Sequence, residues 1–442
     1  MTHASGPART AALQIAAFSR QGVEMLSHTR GEPDWLREAR LAAWAAFEAM
    51  PWPTGKEEEW RRIDIRTVSL EDVTPATDAT ERAVLPEHIT ALADDDAEAG
   101  LLVVHHGAAV SYTARLPEGV IFSPLDEAIR SYPDLVRRYL GTAVRPDDGP
   151  FAALNAAFWT GGTLLYVPAG VSVDLPVRTL HWADGQGVGL FDRTLVILDR
   201  GASATMIDDY LSTAEATGLD ASAVELVVAG DAQLRSITLQ DWGPGIASLA
   251  TLRGLAGRDA AINWLIVALG ARLARTDLAA VMAEPGSHHE LLGLCFGTGA
   301  QQFDLHTLQQ HAAPHTTSDL LFKGVLKDSA RSAFAGLIQV AKGAQRTDAY
   351  LANRNLLLSD KARADSIPTL EIEANDVRCT HGATVGPIDE SQVFYLMARG
   401  IPRPEAERMI VEGFLEPLLS RVPIEGVRAR LDRSVALKMA GV

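Results

Sequence analysis

Apolar positions recur with two different periods along this 442-residue chain, and the period changes twice. In residues 8–70, Trp35, Ala39, Ala42 and Ala46 recur at helical spacing beside Leu36, Ala43 and Phe47. That spacing predicts an amphipathic helix that stops before Pro51-Trp-Pro53. Trp60, alone in the charged run Lys56–Ile63, reads as an anchor into a core. Residues 71–100 are rich in acids, with Arg82 as the one base, and read as a loosely packed connector. A short strand is predicted at Gly100–Val104, then one or two helices through Leu140 and a loop over 145–150.

From about residue 155 the pattern shortens. Apolar runs such as Thr163–Val167, Thr194–Leu198 and Val224–Val228 alternate with turn residues. A loose repeat marks the turns. Leu198-Asp-Arg-Gly-Ala202 returns around Ala232 and Ala260, and in shortened form around Ala330, Ala344 and Ala362. Each unit is an apolar strand, a tight polar turn and a small alanine tucked back inside. Such units bury their faces only by stacking on one another, which predicts a β-solenoid or a stacked double sheet. A β-sandwich remains the alternative on pattern alone. After residue 386 helical spacing returns. Asp389 is a candidate N-cap, Gly400 a stop, Pro417 a limit to the second helix, and Val427, Leu431 and Val435 mark the third. The pattern thus divides the chain into residues 1–150, 151–386 and 387–442.

Composition narrows the function. With 47% hydrophobic and 22% charged residues the chain is an ordinary globular one, and its net charge of −16 argues against nucleic acid and acidic membrane surfaces as partners. No run of about 18 apolar residues predicts a membrane span, and no secretory leader is visible. Two cysteines make no disulfide framework, so a reducing cytoplasm is expected.

The candidate chemistry centres on Asp376–Gly386. If this stretch is a strand, Cys379 and His381, two residues apart, share a face. A thiolate and an imidazole together suit a transition metal or an iron–sulfur species, but two ligands need others from elsewhere. A structural pair, a small buried thiol and a hydrogen-bonding imidazole, is the plainer reading. His306, His311 and His315, with His288 and His289 upstream, suggest zinc less well. Strand alternation splits them between faces, and His311 and His315, flanking a proline turn, are expected to bond the backbone. Asp208-Asp209 and Asp348 lack the partner spacing of a polysaccharide-cleaving acid pair. No Walker-type phosphate loop or nucleophile elbow is present, and Cys295 sits in an apolar run as inert core.

Several segments resemble one family. They are Phe303–His306, Ala313–Ser318, Phe322–Leu326, Thr347–Tyr350, Asn353–Ser359, Cys379-Thr-His-Gly-Ala-Thr384 and Phe394–Ile401. Together they resemble the SufB/SufD family of iron–sulfur cluster assembly proteins. Residues 71–150 match weakly. The run His381-Gly-Ala-Thr-Val-Gly386 is most similar to the SufD branch. The resemblance implies a mainly β protein, a right-handed parallel β-helix flanked by N- and C-terminal helical domains. It implies a non-catalytic scaffold that contributes His381 to a transient cluster shared with a SufB-like subunit, with Cys379 beside it. It further implies a SufC-like ATPase docked on the helices at about 389–420, with no nucleotide bound by this chain, and leaves flavin binding open. An exposed pairing face also allows a homodimer in isolation. The rival expectations are a β-helix carbohydrate-active enzyme and a structural adaptor that lends no ligand.

Overall fold

The protein is described by a computed structural model covering residues 17–76, 86, 89 and 98–441. It is mainly β, with 42% strand and 25% helix, and its body is a parallel β-solenoid of about 8 turns. The solenoid is chosen over the sandwich by the pairing of strands with those one full turn away. Ala261 lies beside His288, His288 beside Thr317, Thr317 beside Asp348 and Asp348 beside Arg378, all in parallel. Alternate strands build two sheets, of 12 and 10 strands.

The turn repeat in the sequence has a physical basis. Ala202, Ala232, Ala260, Ala330, Ala344 and Ala362 are all buried. Each donates its N–H to the carbonyl three residues back, as Ala202 does to Asp199 at 3.0 Å and Ala344 to Ala341 at 2.9 Å. Spacings of 30 and 28 residues separate equivalent corners of successive turns, whereas 14 and 18 separate opposite corners of the same turn. That is why the repeat looks irregular when read along the chain.

Three cores follow from the two faces of each sheet. Inward residues, among them Met206, Leu226, Trp264, Phe303, Phe322 and Leu351, fill the bore of the solenoid. The outer face of the 12-stranded sheet, through Leu164, Leu195 and Leu249, packs on the N-terminal helices α1 (Arg20–Arg30), α2 (Asp34–Ala49) and α3 (Leu125–Ser131). Helix α4 (Pro133–Tyr139) and helix α5 (Pro150–Phe158) complete that layer. The outer face of the 10-stranded sheet packs on α6 (Glu390–Met397), α7 (Arg403–Leu419) and α8 (Glu425–Ala440). Trp60 is buried as expected, and the Arg275 guanidinium lies 3.8 Å above its ring, tying the segment after α2 to the solenoid.

Some sequence expectations hold and others are corrected. Helix α2 ends at Ala49, ahead of Pro51, and the strand at 100 runs Gly100–His105. Where helices were expected directly after the strand at 100, the antiparallel strand Ala108–Ala114 and the strand Ile121–Pro124 come first, ahead of α3 and α4. Much of the acidic connector lies outside the described residues. Helix α5 stands where a loop and the onset of strands were expected. Pro417 lies inside α7 and does not end it; the missing N–H costs one bond, and Ser420 still donates to Glu416 at 2.9 Å.

Candidate functional site

The last turn of the solenoid is made by the strands Arg363–Ile372 and Arg378–Pro387, the terminal strands of their two sheets. Each is paired along one edge only among the described residues. Cys379 pairs with Ala349 and His381 with Leu351, and both partners are fully buried bore residues. Side chains alternate along a strand, so Cys379, His381, Ala383 and Val385 all continue the inward-facing column. The shared face expected of Cys379 and His381 is therefore present.

At this turn the column is no longer covered. His381 is exposed and Cys379 half-buried against the bore. Val385 and Ile372, in register with inward positions, are 44% and 39% exposed. Among the described residues nothing caps this end of the solenoid, and its mouth is lined by apolar groups, a thiol and an imidazole. Burial, and next the Asp348 carboxylate, push the Cys379 thiol up from its ordinary value. Asp348 itself is held by Arg378 at 2.5 Å.

The other candidates resolve differently. His306 faces outward with Asp304 at 3.1 Å and Arg275 at 3.0 Å. His311 faces inward and bonds side-chain hydroxyls, Thr316 at 2.7 Å and Ser318 at 2.9 Å, where the backbone was expected. His289 is sealed in the bore. These histidines form no zinc cluster among the described residues. Asp208 and Asp209 are fully buried and point opposite ways. Asp208 faces His181, and Asp209 meets Arg178 at 3.4 Å and Arg430 of α8, so neither reaches an open groove. Cys295 is buried, with its thiol pushed up to about 11 by burial, as an inert thiol would be.

Three buried histidines give the protein a pH signature. Burial, then the neighbours His288 and His311, hold His289 down to about 3, and burial holds His311 down to about 4. Both bind no proton in the folded state near pH 6.5. As pH falls below 6.5 the unfolded chain takes up protons that the folded chain refuses. Stability should then fall by about 1.4 kcal/mol per pH unit for each residue, down to about pH 4 for His311 and about pH 3 for His289. His181 is opposite. Burial alone would lower it, but Asp192 at 2.8 Å and Asp208 at 3.5 Å raise it to about 10. Its contribution is complete below pH 6.5 and is lost as pH rises toward 10. Urea midpoints measured against pH should peak near 6.5, and His181→Gln should flatten the alkaline limb. An unchanged alkaline limb in that variant would remove His181 from this role.

Comparison with known proteins matches the chain to one family. The family model for the SUF system FeS cluster assembly SufBD core domain matches residues 181–414, and that for the SufBD protein N-terminal region matches 15–179. An iron–sulfur cluster assembly SufBD family protein of Staphylococcus epidermidis is 30% identical over 436 residues, covering 95% of this chain and 92% of its own. One of Staphylococcus saprophyticus is 29% identical over 436 residues, with the same coverage. The iron–sulfur cluster assembly protein SufB of Bacillus subtilis is 28% identical over 444 residues, covering 96% of this chain and 93% of its own. With both halves of its length matched and its solenoid in place, the chain belongs to the SufBD family of iron–sulfur cluster assembly proteins.

Proposed function

We propose that this chain is a SufD-like, non-catalytic scaffold subunit, and that His381 at the mouth of the solenoid is a ligand to an iron–sulfur cluster built between it and a SufB-like partner. The observation that carries this reading is the placement of His381. It is exposed on the uncapped last turn, beside a half-buried thiol and on a strand with a free edge. Free strand edges pair with other chains unless something blocks them. The apolar Ile372 and Val385 around the mouth suit closure by a second subunit. The cluster is cargo here. His381 and Cys379 supply part of its ligand set and the partner the rest, since two donors leave a metal site incomplete. In isolation the same edge could pair with itself.

A second surface fits a SufC-like ATPase. Phe394 is 72% exposed and Tyr395 55%, with Met397 and Met409 also exposed, so α6 and the start of α7 present an apolar patch. Helix α6 is short, and its N-cap Asp389 accepts from Ser391 at 2.8 Å. Exposed apolar side chains of this kind, on helices that also carry the surface ion pairs Arg403–Glu390 and Arg403–Glu407, suit docking to another protein.

Co-expression with SufB-like and SufC-like subunits under anaerobic conditions tests the reading. The expected product is one complex carrying iron and acid-labile sulfide. Phe394→Ala combined with Tyr395→Ala should release the ATPase subunit and leave the SufB-like subunit bound. Failure of the chain to associate with either subunit would overturn the assignment, and a complex with normal iron regardless of His381 would leave it an adaptor without a ligand.

A further inference from the structure

At the opposite end of the solenoid from Cys379 and His381, two histidines and a carboxylate converge. His105 ends the strand Gly100–His105, and His106 and Gly107 turn the chain into the antiparallel strand Ala108–Ala114. Both turn residues have positive φ, 48° at His106 and 79° at Gly107. Two-residue hairpin turns of that shape favour Asn-Gly, so a histidine at the first position is an outlier with a local cost. Gly107 is fixed by contact, because a Cβ there would lie 2.1 Å from Thr160 Oγ1. Asp184 follows the strand Val177–Ala183, which pairs with Gly100–His105 and so runs up beside the turn.

The left-handed conformation folds the His106 ring onto that of His105, with centroids 4.0 Å apart and planes 22° apart. Both Nε2 atoms then face Asp184. Its Oδ1 lies 3.0 Å from His105 Nε2 and 3.3 Å from His106 Nε2, and its carbonyl oxygen is 2.9 Å from His106 Nε2. All three donor atoms lie within 4.8 Å of one another. Ligands bonded at about 2.0–2.1 Å to a tetrahedral ion sit roughly 3.3 Å apart, so this spacing needs little adjustment. Burial, and next the His105 ring, lower the His106 proton affinity. The Asp184 backbone N–H also reaches His106 Nε2 at 3.2 Å, so an ion bound there exchanges that contact for a bond to the metal. The Asp184 side chain is 48% exposed, so an ion can enter from solvent and keep water in the remaining positions.

We propose that His105, His106 and Asp184 form a site for one divalent first-row transition-metal ion of the Zn2+ or Fe2+ class. Two imidazoles and a carboxylate with open positions are a donor set such ions take. The site stands apart from the proposed cluster seam and does not depend on it.

The test uses the full chain carrying Cys379→Ser and His381→Ala, so that the seam contributes no ligands. Metal-stripped protein is titrated with Co2+, read by its visible absorption, and with Zn2+, read by calorimetry and by the urea midpoint. One equivalent of each ion should bind, and Zn2+ should raise the midpoint. His106→Asn, which tolerates the same turn, and Asp184→Asn should each weaken binding by more than the roughly 10–100-fold that changes behind a ligand cost. Both should lose the Co2+ bands and the Zn2+-dependent shift, whatever their metal-free midpoint. No uptake by the parent, or full uptake by both variants, overturns the proposal.

Discussion

Replacing Glu225 by alanine should destabilise the protein by about 3–5 kcal/mol, the cost of breaking a buried ion pair from one side. Glu225 and Arg193 are side-chain neighbours on adjacent strands of the 12-stranded sheet, with exposures of 0% and 2%. Arg193 donates to Glu225 Oε1 at 2.7 and 2.9 Å, to the Asn155 side chain at 3.0 Å and to the Val144 carbonyl at 2.7 Å. Glu225 also accepts the N–H groups of Gly141, Ala143 and Val144 at 2.9–3.0 Å. The carboxylate thus fastens the segment ahead of α5 to the solenoid. Its removal leaves a sealed guanidinium without its counter-charge and three backbone donors without an acceptor. Urea denaturation of Glu225→Ala, Arg193→Met and the double variant is the measurement. The double variant should lose less than the sum of the two singles. A change within about 0.5 kcal/mol for Glu225→Ala, the range of ordinary surface substitutions, would show that the network contributes nothing.

The second large effect is functional. His381→Ala should remove most of the iron and sulfide from the anaerobically purified complex, with the subunits still associated. The residue is exposed and its side chain makes no hydrogen bond among the described residues, so the unfolding free energy of the isolated chain, from urea denaturation, should stay within about 0.5 kcal/mol. Cys379→Ser should have a smaller effect on iron. Burial and the Asp348 carboxylate raise its thiol, so a metal must displace a firmly held proton before that sulfur can bind. Equal iron loss from the two variants would place the thiolate on the same footing as the imidazole.

Much of the architecture is legible in the sequence because a solenoid is built from local units. Alternation fixes which side chains face inward, so Cys379 and His381 could be assigned to one face before any pairing was known. The turn alanines were visible for the same reason, since each closes a bond to a residue three positions away. Helix α5 was hidden because Phe151, Ala152, Ala153, Leu154, Asn155, Ala157 and Phe158 are all buried, and a helix apolar all round has no stripe to betray it. The partners of His311 were missed because strand alternation says which way a ring points and not which hydroxyl waits there.

Long-range contacts were out of reach altogether. Nothing near Arg193 in the sequence announces Val144 or Glu225, and nothing near Asp209 announces Arg430 on α8. The same holds for His105, His106 and Asp184. An adjacent pair of histidines before a glycine is a turn signal worth noting, but the carboxylate that gives it meaning arrives from a strand one full turn later. That the last turn is uncapped is likewise a property of the whole coil. It decides that His381 meets solvent where Leu351, one turn earlier, is sealed.

The most direct test of the central claim is a structure of the anaerobically assembled complex with iron and sulfide bound. The account predicts that the free edge of strand Arg378–Pro387 meets the SufB-like subunit, and that iron lies within bonding distance of a His381 ring nitrogen. A cluster held wholly by the other subunit, with His381 left in solvent, would contradict it.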